Sequence, residues 1–464
     1  MHIGHRAFAA ALITLSLLAA GIRISGALLN RDANDNHLKV IRIIALEHRI
    51  PDKEEPECLQ CYHPKLYHAS AAALGRLLPR QDDKVLLITA QLLSALAGIA
   101  TLAYILSFLL ALRLAPSTTL ITFALTALNP ALIGIHIQST NDAFVILFGT
   151  AALFHGYRFL RFHTLSNAAL TALAITLAAL SKGSGIIFLI GFALIGLFGL
   201  IRSWREGRLS YAWLLLILSL FLATIAAITI FGPYDEYAQR YGSALVINKE
   251  KSPPPHFFDQ TSVGSKTGIV SVYDGYLTFR PWDLVHEPYL DREREADDYQ
   301  SARVSLWTQL YARANFIHYE GHPSKWFVRH DDPVYLLGSV SYVLALLPLT
   351  LLLVGLILTL KRIFAKITNN LTDFATHPEW ILLFFLSAFL AFLIKFTMEY
   401  REFSSMKPIY IFPALLSIVC LLANGTEYVV RHFRQPWVRN AMVSIAAALT
   451  MLYVIDMLWL YQKF

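Results

Sequence analysis

Charged residues are scarce in this sequence, at 15% of 464 residues, whereas 56% of the residues are hydrophobic. A water-soluble chain of this length would carry roughly a quarter charged residues and would divide into two or three domains. The composition therefore excludes an ordinary soluble protein. It directs attention instead to apolar runs that are long enough to cross a bilayer.

Other features are also missing, and each absence removes a class of function. The chain has no stripe of basic and aromatic residues, so its net charge of +7 does not indicate a nucleic-acid partner. Its two halves contain no matching broken segments of the kind that inverted-repeat transporters show. Charges inside the apolar runs are limited to Arg23, Lys395 and Asp456, near the ends of their runs, which disfavours an ion-coupled transporter.

Apolar runs dominate the rest of the chain. Eleven of them approach or exceed the about 20 residues that span a hydrocarbon core, where only helices satisfy their own backbone groups. The predicted spans are 7–29, 85–112, 117–137, 142–160, 165–181, 184–201, 211–231, 334–360, 380–397, 408–424 and 438–460. We therefore expect an all-α polytopic membrane protein. The break at Ser181–Gly183 separates two short helices or interrupts a single one. The first apolar run, 7–29, is too long for a cleaved signal peptide.

Basic residues in alternate connections predict the orientation. Short cytoplasmic loops carry an excess of Lys and Arg, and this rule places the N-terminus in the cytoplasm. The basic residues on that side are Arg6, Arg113, Arg158, Arg161, Arg202, Arg205, Arg208, Lys361, Arg362, Lys366, Arg431, Arg434 and Arg439. The sequence then divides into an N-terminal module 1–232 with an outer loop 30–84, a large outer loop 233–333 and C-terminal helices 334–464. We expect the basic loops to contact anionic membrane lipids.

Two acids, Asp32 and Asp35, follow the first predicted span directly. A carboxylate at a membrane surface is partly desolvated and can reach lipid-linked substrates, and desolvation raises its proton affinity towards that of a general base. The alternative is structural, because Asn34 or Asp35 could cap the helix that the apolar stripe 38–45 predicts.

The same loop contains a Cys-x-x-Cys pair, Cys58 and Cys61. A local disulfide fits the oxidising side of the membrane, while His63 and His68 are close enough in sequence to complete a zinc-like set, and a redox pair is a third alternative. Residues 69–78 predict an interfacial helix with Arg76 at the lipid head groups. Cys420, inside an apolar run, is expected to be a packing residue.

Two motifs of this loop resemble the GT-C membrane glycosyltransferases, especially the protein O-mannosyltransferases and the aminoarabinose transferase of lipid A. Those families open the first outer loop with a catalytic acid, often Asp-Glu followed by an aromatic residue or His. The stretch Asp35–His37 matches that motif with Asn36 in place of Glu. The family's His-Pro-Pro-Leu-Tyr segment is similar to His63–Tyr67, where Lys65 replaces the second Pro.

Three later segments extend the resemblance. Asp142, after the stretch that starts at Asn129, resembles the acid of the second outer turn, although it could also be a helix N-cap. The turn Ser181–Gly185 resembles the family's Ser/Thr-Lys turn. Tyr400–Glu402 and Lys407–Pro413 resemble its late Arg/Lys-x-x-Tyr-x-x-Pro segment.

The resemblance implies transfer of a sugar from a polyprenyl-phosphate donor to a lipid, glycan or protein acceptor on the non-cytoplasmic face, with inversion. It implies that Asp35 is the base and Asp32 the second candidate. The implied donor-phosphate residues are Lys182, Arg401 and Lys407, each of which could also be a snorkelling anchor. The implied substrate-binding residues are His37, His63, Lys65, Tyr67, Asp142 and Tyr410. A divalent metal is possible in such enzymes, but no ligand spacing here indicates one.

The large outer loop is rich in aromatic residues, for which anchoring at the membrane interface is the favoured interpretation. The residues concerned are Trp307, Tyr311, His318, Tyr319, His322 and Trp326. The mixed-charge run 291–298 is expected to be a solvated helix. Short basic loops fit a bacterial inner membrane with the site facing the periplasm. Two alternatives to an enzyme remain, a lipid or sugar transporter and a non-catalytic assembly partner.

Overall fold

The computed structural model describes residues 4–33, 35–80, 82–247, 271–290, 304–319, 333–369, 377–401, 405–433 and 435–464. The run 291–298, His322, Trp326 and Glu402 lie outside these ranges. The regular structure within them is helical. The α-helices, in chain order, are α1 (His5–Leu29), α2 (His37–Arg42), α3 (Leu66–Arg76), α4 (Asp83–Ala111), α5 (Pro116–Ala127), α6 (Pro130–His136), α7 (Asp142–Phe162), α8 (Leu165–Ser181), α9 (Ile187–Arg205), α10 (Tyr211–Phe231), α11 (Tyr234–Tyr241), α12 (Val272–Leu277), α13 (Pro281–His286), α14 (Leu306–Asn315), α15 (Val334–Leu344), α16 (Leu346–Asn369), α17 (Glu379–Glu399), α18 (Leu415–His432) and α19 (Pro436–Gln462).

The chain is a multi-pass membrane protein. Within the described ranges, nine helical segments are long and apolar enough to cross a bilayer, counting α15 with α16 as one segment. The helices α5 and α6 form a further candidate, bent by 51° at Pro130, and α8 is apolar but has only 17 residues. All eleven predicted spans are thus helical, whereas the number that cross the membrane by length and composition alone is nine or ten.

Close helix packing holds the bundle together. At the crossing of α16 and α18, Gly355 and Gly425 face each other so closely that a Cβ on either would collide with a carbonyl of the opposite helix, that of Leu421 or Leu351. Backbones approach in this way in membranes because helix association depends on packing of small residues. Cys420, on α18, is buried in the apolar core, as its position in the sequence predicted.

The first outer loop folds onto the outer end of the bundle. A disulfide joins Cys58 and Cys61, and both are buried against Val40 of α2. The guanidinium of the exposed Arg76 donates to the carbonyls of Ala45 and Ile44, at the π-helical turn that follows α2, and its contact with lipid head groups stays a prediction. Such a turn leaves carbonyls without intrahelical partners, and Arg76 satisfies them.

The aromatic residues of the second outer loop also pack differently from the prediction. Tyr311, His318 and Tyr319 are buried, and the Trp307 indole donates to the carbonyl of Tyr276 at 2.7 Å. Membrane anchoring is therefore wrong for these four residues. They attach α14 and the turn after it to the helix bundle.

Two of the charges inside spans are buried in the protein. Arg23 is fully buried and donates to the carbonyl of Ala127 at 2.9 Å and to His136 Nδ1 at 3.1 Å. Ala127 lies at the break between α5 and α6, where Pro130 interrupts the helical hydrogen bonds, so Arg23 supplies a donor that the break requires. The second buried charge is Asp456, on α19, which accepts a hydrogen bond from His318 at 2.7 Å.

Candidate active site

Asp35 occupies a strained turn between α1 and α2. Asp35 and Asn36 both have positive φ, at 56° and 61°, a conformation that Asp and Asn tolerate better than most residues and that is often found at functional sites. The N-cap position of α2 is Asn36, whose side chain makes no capping hydrogen bond, and the other predicted cap, Asn34, lies outside the described residues. Asp35 therefore does not occupy the N-cap position that the sequence allowed, and it is exposed and lines a cavity.

A buried ion pair lies beside this turn. Lys182 Nζ donates to Asp142 Oδ1 at 2.6 Å, and the two side chains are only 12% and 9% exposed. Asp142 Oδ2 accepts from the hydroxyl of Thr140 at 3.1 Å, and the carboxylate lies in the first turn of α7, where the helix dipole favours negative charge. The N-cap position of α7 is Asn141, so the alternative capping role of Asp142 is not realised.

Local backbone structure presents Lys182 to Asp142. The helix α8 ends at Ser181, Lys182 is extended at φ −153°, and a 3₁₀ turn Gly183–Ile186 leads into α9. An added Cβ at Gly185 would collide with the Ala178 carbonyl, so this turn requires glycine there. The break between α8 and α9 therefore forms two helices rather than one, and Lys182 lies at their junction.

A small polar cavity of about 110 Å³ contains the charged groups of the site. Its wall includes two carboxylates, Asp35 and Asp142, and two cations, Arg313 and Lys407, together with Thr140. Asp35 is exposed whereas Arg313 is only 7% exposed. The wall therefore combines one exposed carboxylate, Asp35, with a buried carboxylate, Asp142, and a buried cation, Arg313.

The helix α14 positions Arg313. Its guanidinium Nε donates to Gln309 Oε1 at 2.9 Å, and the charge lies 5.9 Å from the ring of Tyr319. The carbonyl of Ala314 accepts from Asn129, the residue that caps α6, at 2.8 Å. These contacts fix a long side chain that would otherwise be mobile.

The residues that follow Arg313 form hydrogen bonds with α19. Asp456 accepts from His318 Nδ1 at 2.7 Å and from the backbone N–H of Ile317 at 2.9 Å. One turn earlier on α19, the Tyr453 hydroxyl donates to Asn315 Oδ1 at 2.5 Å. Two side chains of α19 therefore hold the turn that carries Tyr319 into the cavity wall.

An apolar groove of about 480 Å³ adjoins the polar cavity, and Pro408 lines both. One face of α14 borders the groove, whereas Arg313 faces the polar cavity. The helical spacing explains this division, because residues three and four apart share a face. The groove residues on α14 are Trp307, Leu310, Tyr311, Ala314 and Asn315. The remaining wall comes from α5, α6, α16, α18 and the segment 408–412, together with Phe279, Ala345 and Tyr453.

A second cavity, of about 100 Å³, lies on the opposite side of the ion pair. Lys182 lines this cavity, whereas Asp142 lines the first one. Tyr410 also lines it, with its ring 5.5 Å from Lys182 Nζ. Burial raises the pKa of Tyr62 in its wall, and the charges of Asp142 and Asp35 add to the effect. The two cavities therefore lie on either side of the Lys182–Asp142 pair.

Three buried histidines support the site from the loop side. His37 Nδ1 and His68 Nε2 are 2.9 Å apart, and the His63 ring stacks on His37 with ring centroids 6.1 Å apart. Burial lowers the pKa of His37 to about 4 and those of His63 and His68 well below their usual value. All three imidazoles are therefore neutral near pH 7, which permits their close packing.

The similarity of this chain to known proteins is a similarity of fold. No family model and no curated protein sequence matches the chain. The apo oligosaccharyltransferase of Archaeoglobus fulgidus superposes with a TM-score of 0.50 at 12% identity, over 97% of this chain and 56% of that one. The chain has the GT-C fold. It spans about half the length of the oligosaccharyltransferase that it matches.

Two other proteins with the GT-C fold give lower scores. A protein O-mannosyltransferase complex of S. cerevisiae bound to its sugar donor has a TM-score of 0.39 at 14% identity, over 57% of this chain and 39% of that chain. ArnT from Cupriavidus metallidurans bound to undecaprenyl phosphate has a TM-score of 0.36 at 13% identity, over 89% and 77% of the two chains.

The structure brings together most of the residues that the GT-C resemblance singled out. The residues that line the two cavities are Asp35, Asp142, Lys182, His63, Lys407 and Tyr410, and His37 packs directly behind His63. The described wall residues do not include Asp32, Arg401, Lys65 or Tyr67.

The side chains of Lys65 and Tyr67 contact the protein itself. Lys65 donates to the carbonyls of Cys61 and His63, and burial lowers its pKa to about 8. The Tyr67 hydroxyl contacts the Ala90 carbonyl and the Ser94 hydroxyl, both at 2.9 Å, and thereby docks α3 on α4. Both residues hold the loop in place instead of lining either cavity.

The residues present do not form a metal centre. No group of three or more His, Cys, Asp or Glu side chains converges suitably within the described ranges. Asp142 directs one carboxylate oxygen to Lys182 and the other to Thr140. We therefore derive no step that passes through a metal.

Sequence reasoning missed Arg313 and Tyr62. The stretch around Arg313 was interpreted by its aromatic residues alone, although a lone arginine among apolar residues on a short helix is itself a signal, because arginine is rarely buried without a role. Tyr62 directly precedes the His63–Tyr67 motif. Its position between the motif and the disulfide gave no sign that it would line a cavity.

Proposed function

We propose that the protein is a membrane glycosyltransferase that moves a sugar from a polyprenyl-phosphate donor to an acceptor hydroxyl. One observation carries the proposal. An apolar groove of about 480 Å³ shares the wall residue Pro408 with a polar cavity whose wall includes two cations and two carboxylates. A lipid phosphate has the same two-part chemistry, an apolar chain next to a charged head.

The groove and the two cations would hold the donor. The prenyl chain would lie along the apolar side of α14, and the phosphate would bind between Arg313 and Lys407. Because Arg313 is buried, its fixed positive charge would stabilise the negative charge that builds on the departing phosphate, and Lys407 would add to the effect. Lys182 contributes less to that attraction than the sequence suggested, because Asp142 neutralises it at 2.6 Å.

Asp35 would act as the general base. It lines the polar cavity and is exposed, whereas Arg313 in the same wall is buried. A sugar held between them has the base on one side and the leaving phosphate on the other. This arrangement suits a single displacement with inversion, in which the acceptor oxygen bonds to the anomeric carbon, the bond to phosphate breaks, and Asp35 takes the proton.

The topology supports a site on the non-cytoplasmic side. The residues that meet at the cavities follow α1, begin α7, join α8 to α9, and follow α17, and all these points lie opposite the basic loops. We propose that the site faces the periplasm of a bacterial inner membrane, and that the loop 233–333 covers it and helps to select the acceptor.

The test is transfer of labelled sugar in membranes supplied with a panel of polyprenyl-phosphate sugars, at equal protein level. We expect Asp35→Asn to lower transfer about 10²–10⁴-fold, the usual contribution of a general base, while donor binding stays intact. Asp32→Asn is the matched control, because Asp32 does not line the cavity, and should change transfer less than tenfold. Equal activity of Asp35→Asn and wild type would reject Asp35 as the base.

A further inference from the structure

We propose that the second cavity binds the acceptor, and that this acceptor is a hydroxyl-bearing lipid that enters from the membrane. The inference rests on the proposed function, because it assigns the acceptor class for the same reaction. The cavity is the one that Lys182 lines, opposite the donor side of the ion pair.

The position of the cavity fits an acceptor. We place the donor on the Asp142 side of the ion pair, whereas the second cavity lies on the Lys182 side. His63 in its wall stacks on His37, which follows Asp35 in the same loop. A nucleophile must approach the anomeric carbon from the face opposite the leaving phosphate. An acceptor in the second cavity would approach from the side of Lys182, away from Arg313 and Lys407, which line the first cavity.

The depth of the cavity indicates a membrane-borne acceptor. Phe392 and Phe396 form part of its wall, and both lie on α17, a membrane span that ends at Glu399. At 1.5 Å per residue, these side chains are about 10 Å and 5 Å below the outer end of the helix. A water-soluble peptide would have to leave water to reach this depth, whereas a lipid already lies there.

Helix α11 covers part of the cavity on the loop side. The Tyr237 hydroxyl donates to the Tyr62 carbonyl at 3.0 Å, and Arg240 pairs with Asp52 at 2.7 Å. The Tyr241 hydroxyl also donates to Glu54 at 3.1 Å. These contacts hold α11 against the loop, and we propose that the acceptor enters from the bilayer, beside Phe392 and Phe396.

The chemistry of the wall completes the argument. Lys182 is the one charged side chain among the described wall residues, and Asp142 already compensates it. Tyr62 and Tyr410 offer phenols that can bond to a hydroxyl, next to Phe392 and Phe396. An uncharged hydroxyl on an apolar carrier matches this wall, whereas an acidic or basic peptide does not.

The experiment measures which lipids remain with the purified full-length chain in nanodiscs made from a total lipid extract of the host cells. Mass spectrometry identifies the retained lipids. Ala244→Trp fills the second cavity and Leu349→Trp fills the groove, since these residues line the two spaces separately. We expect Ala244→Trp to lower a retained hydroxyl lipid at least tenfold and to keep the polyprenyl phosphate, and Leu349→Trp to have the opposite effect.

Each variant is the folding control for the other, because each should keep the lipid that its partner loses. Ala244→Ser, which adds little volume, should behave like wild type. The proposal is overturned if wild type retains no hydroxyl lipid, if Ala244→Trp retains it fully, or if sugar transferred from labelled donor appears in precipitated protein instead of the lipid extract. Loss of polyprenyl phosphate from wild type would instead contradict the donor site.

Discussion

The buried pair Asp142–Lys182 allows a prediction in which stability and activity separate. At 2.6 Å and an effective dielectric constant of about 20, two unit charges attract by about 6 kcal/mol. Much of that attraction is offset by the cost of removing both charges from water, so removal of one partner of such a pair costs about 3–5 kcal/mol. The remaining charge is then left buried without compensation.

The two single substitutions should differ in cost. Asp142→Leu leaves the Lys182 ammonium with the Tyr410 ring at 5.5 Å as its nearest described compensation, and we expect a loss of about 4–5 kcal/mol. Lys182→Met leaves a carboxylate that keeps the Thr140 hydroxyl at 3.1 Å and the positive end of α7. Because a helix dipole contributes up to about 2 kcal/mol, we expect about 2–3 kcal/mol here. The double variant Asp142→Leu/Lys182→Met should return to within about 1 kcal/mol of wild type.

The assay pairs unfolding in mixed detergent micelles with transfer of labelled sugar. The double variant should unfold like wild type yet transfer sugar at least about 100-fold more slowly, because the charges that border both cavities are gone. Single substitutions that each cost less than about 1 kcal/mol, or that cost the reverse order, would refute the burial argument. A double variant that is as active as wild type would show that the pair has a structural role alone.

Three further predictions follow from other parts of the molecule. Arg313→Met and Lys407→Met should each raise the donor KM at least about tenfold with a smaller change in kcat, as single charge-assisted contacts to a phosphate would; an unchanged KM for both would remove them from the donor site. The pKa of His37 is about 4 in the folded chain and near 6.5 when unfolded, so the unfolded state binds more protons between these values and stability falls as the pH drops below about 6.5. Between about pH 7.5 and pH 5, His37 should account for a loss of about 2 kcal/mol in the free energy of unfolding. This loss is measurable as a fall in the thermal midpoint, and His37→Gln should make that fall smaller. Gly425→Val should destabilise by about 3 kcal/mol or more through overpacking, whereas Gly21→Val, where an added Cβ meets nothing within 4 Å, should be nearly neutral in the same unfolding assay.

Hydropathy predicted the helical bundle well. This signal is strong because the bilayer requires about 20 apolar residues in each span. The asymmetry of the basic loops predicts the orientation, which stays a prediction. The exact number of spans was harder to predict, since Pro130 bends one candidate by 51° and α8 has only 17 residues. Composition alone does not distinguish a complete crossing from a segment that ends short of the surface.

The candidate site was predictable only where polar residues interrupt apolar runs. Asp142 and Lys182 were visible for that reason, although their 40-residue separation hid the fact that they form an ion pair. Lys65 and Tyr67 looked equally functional in sequence, yet their side chains bind nearby protein groups. Whether a polar side chain faces a cavity or the backbone depends on tertiary contacts, which a single sequence does not contain.

The attachment of residues 315–318 to α19 has a consequence for biosynthesis. The anchors Tyr453 and Asp456 come more than 130 residues later in the chain than the turn that they hold. A nascent polypeptide that has emerged only as far as α18 lacks both anchors, even though Asp35, Asp142 and Lys182 have already been synthesised. The order of synthesis thus completes the wall of the polar cavity after its carboxylates, because the turn that carries Tyr319 cannot be fastened before α19 is made.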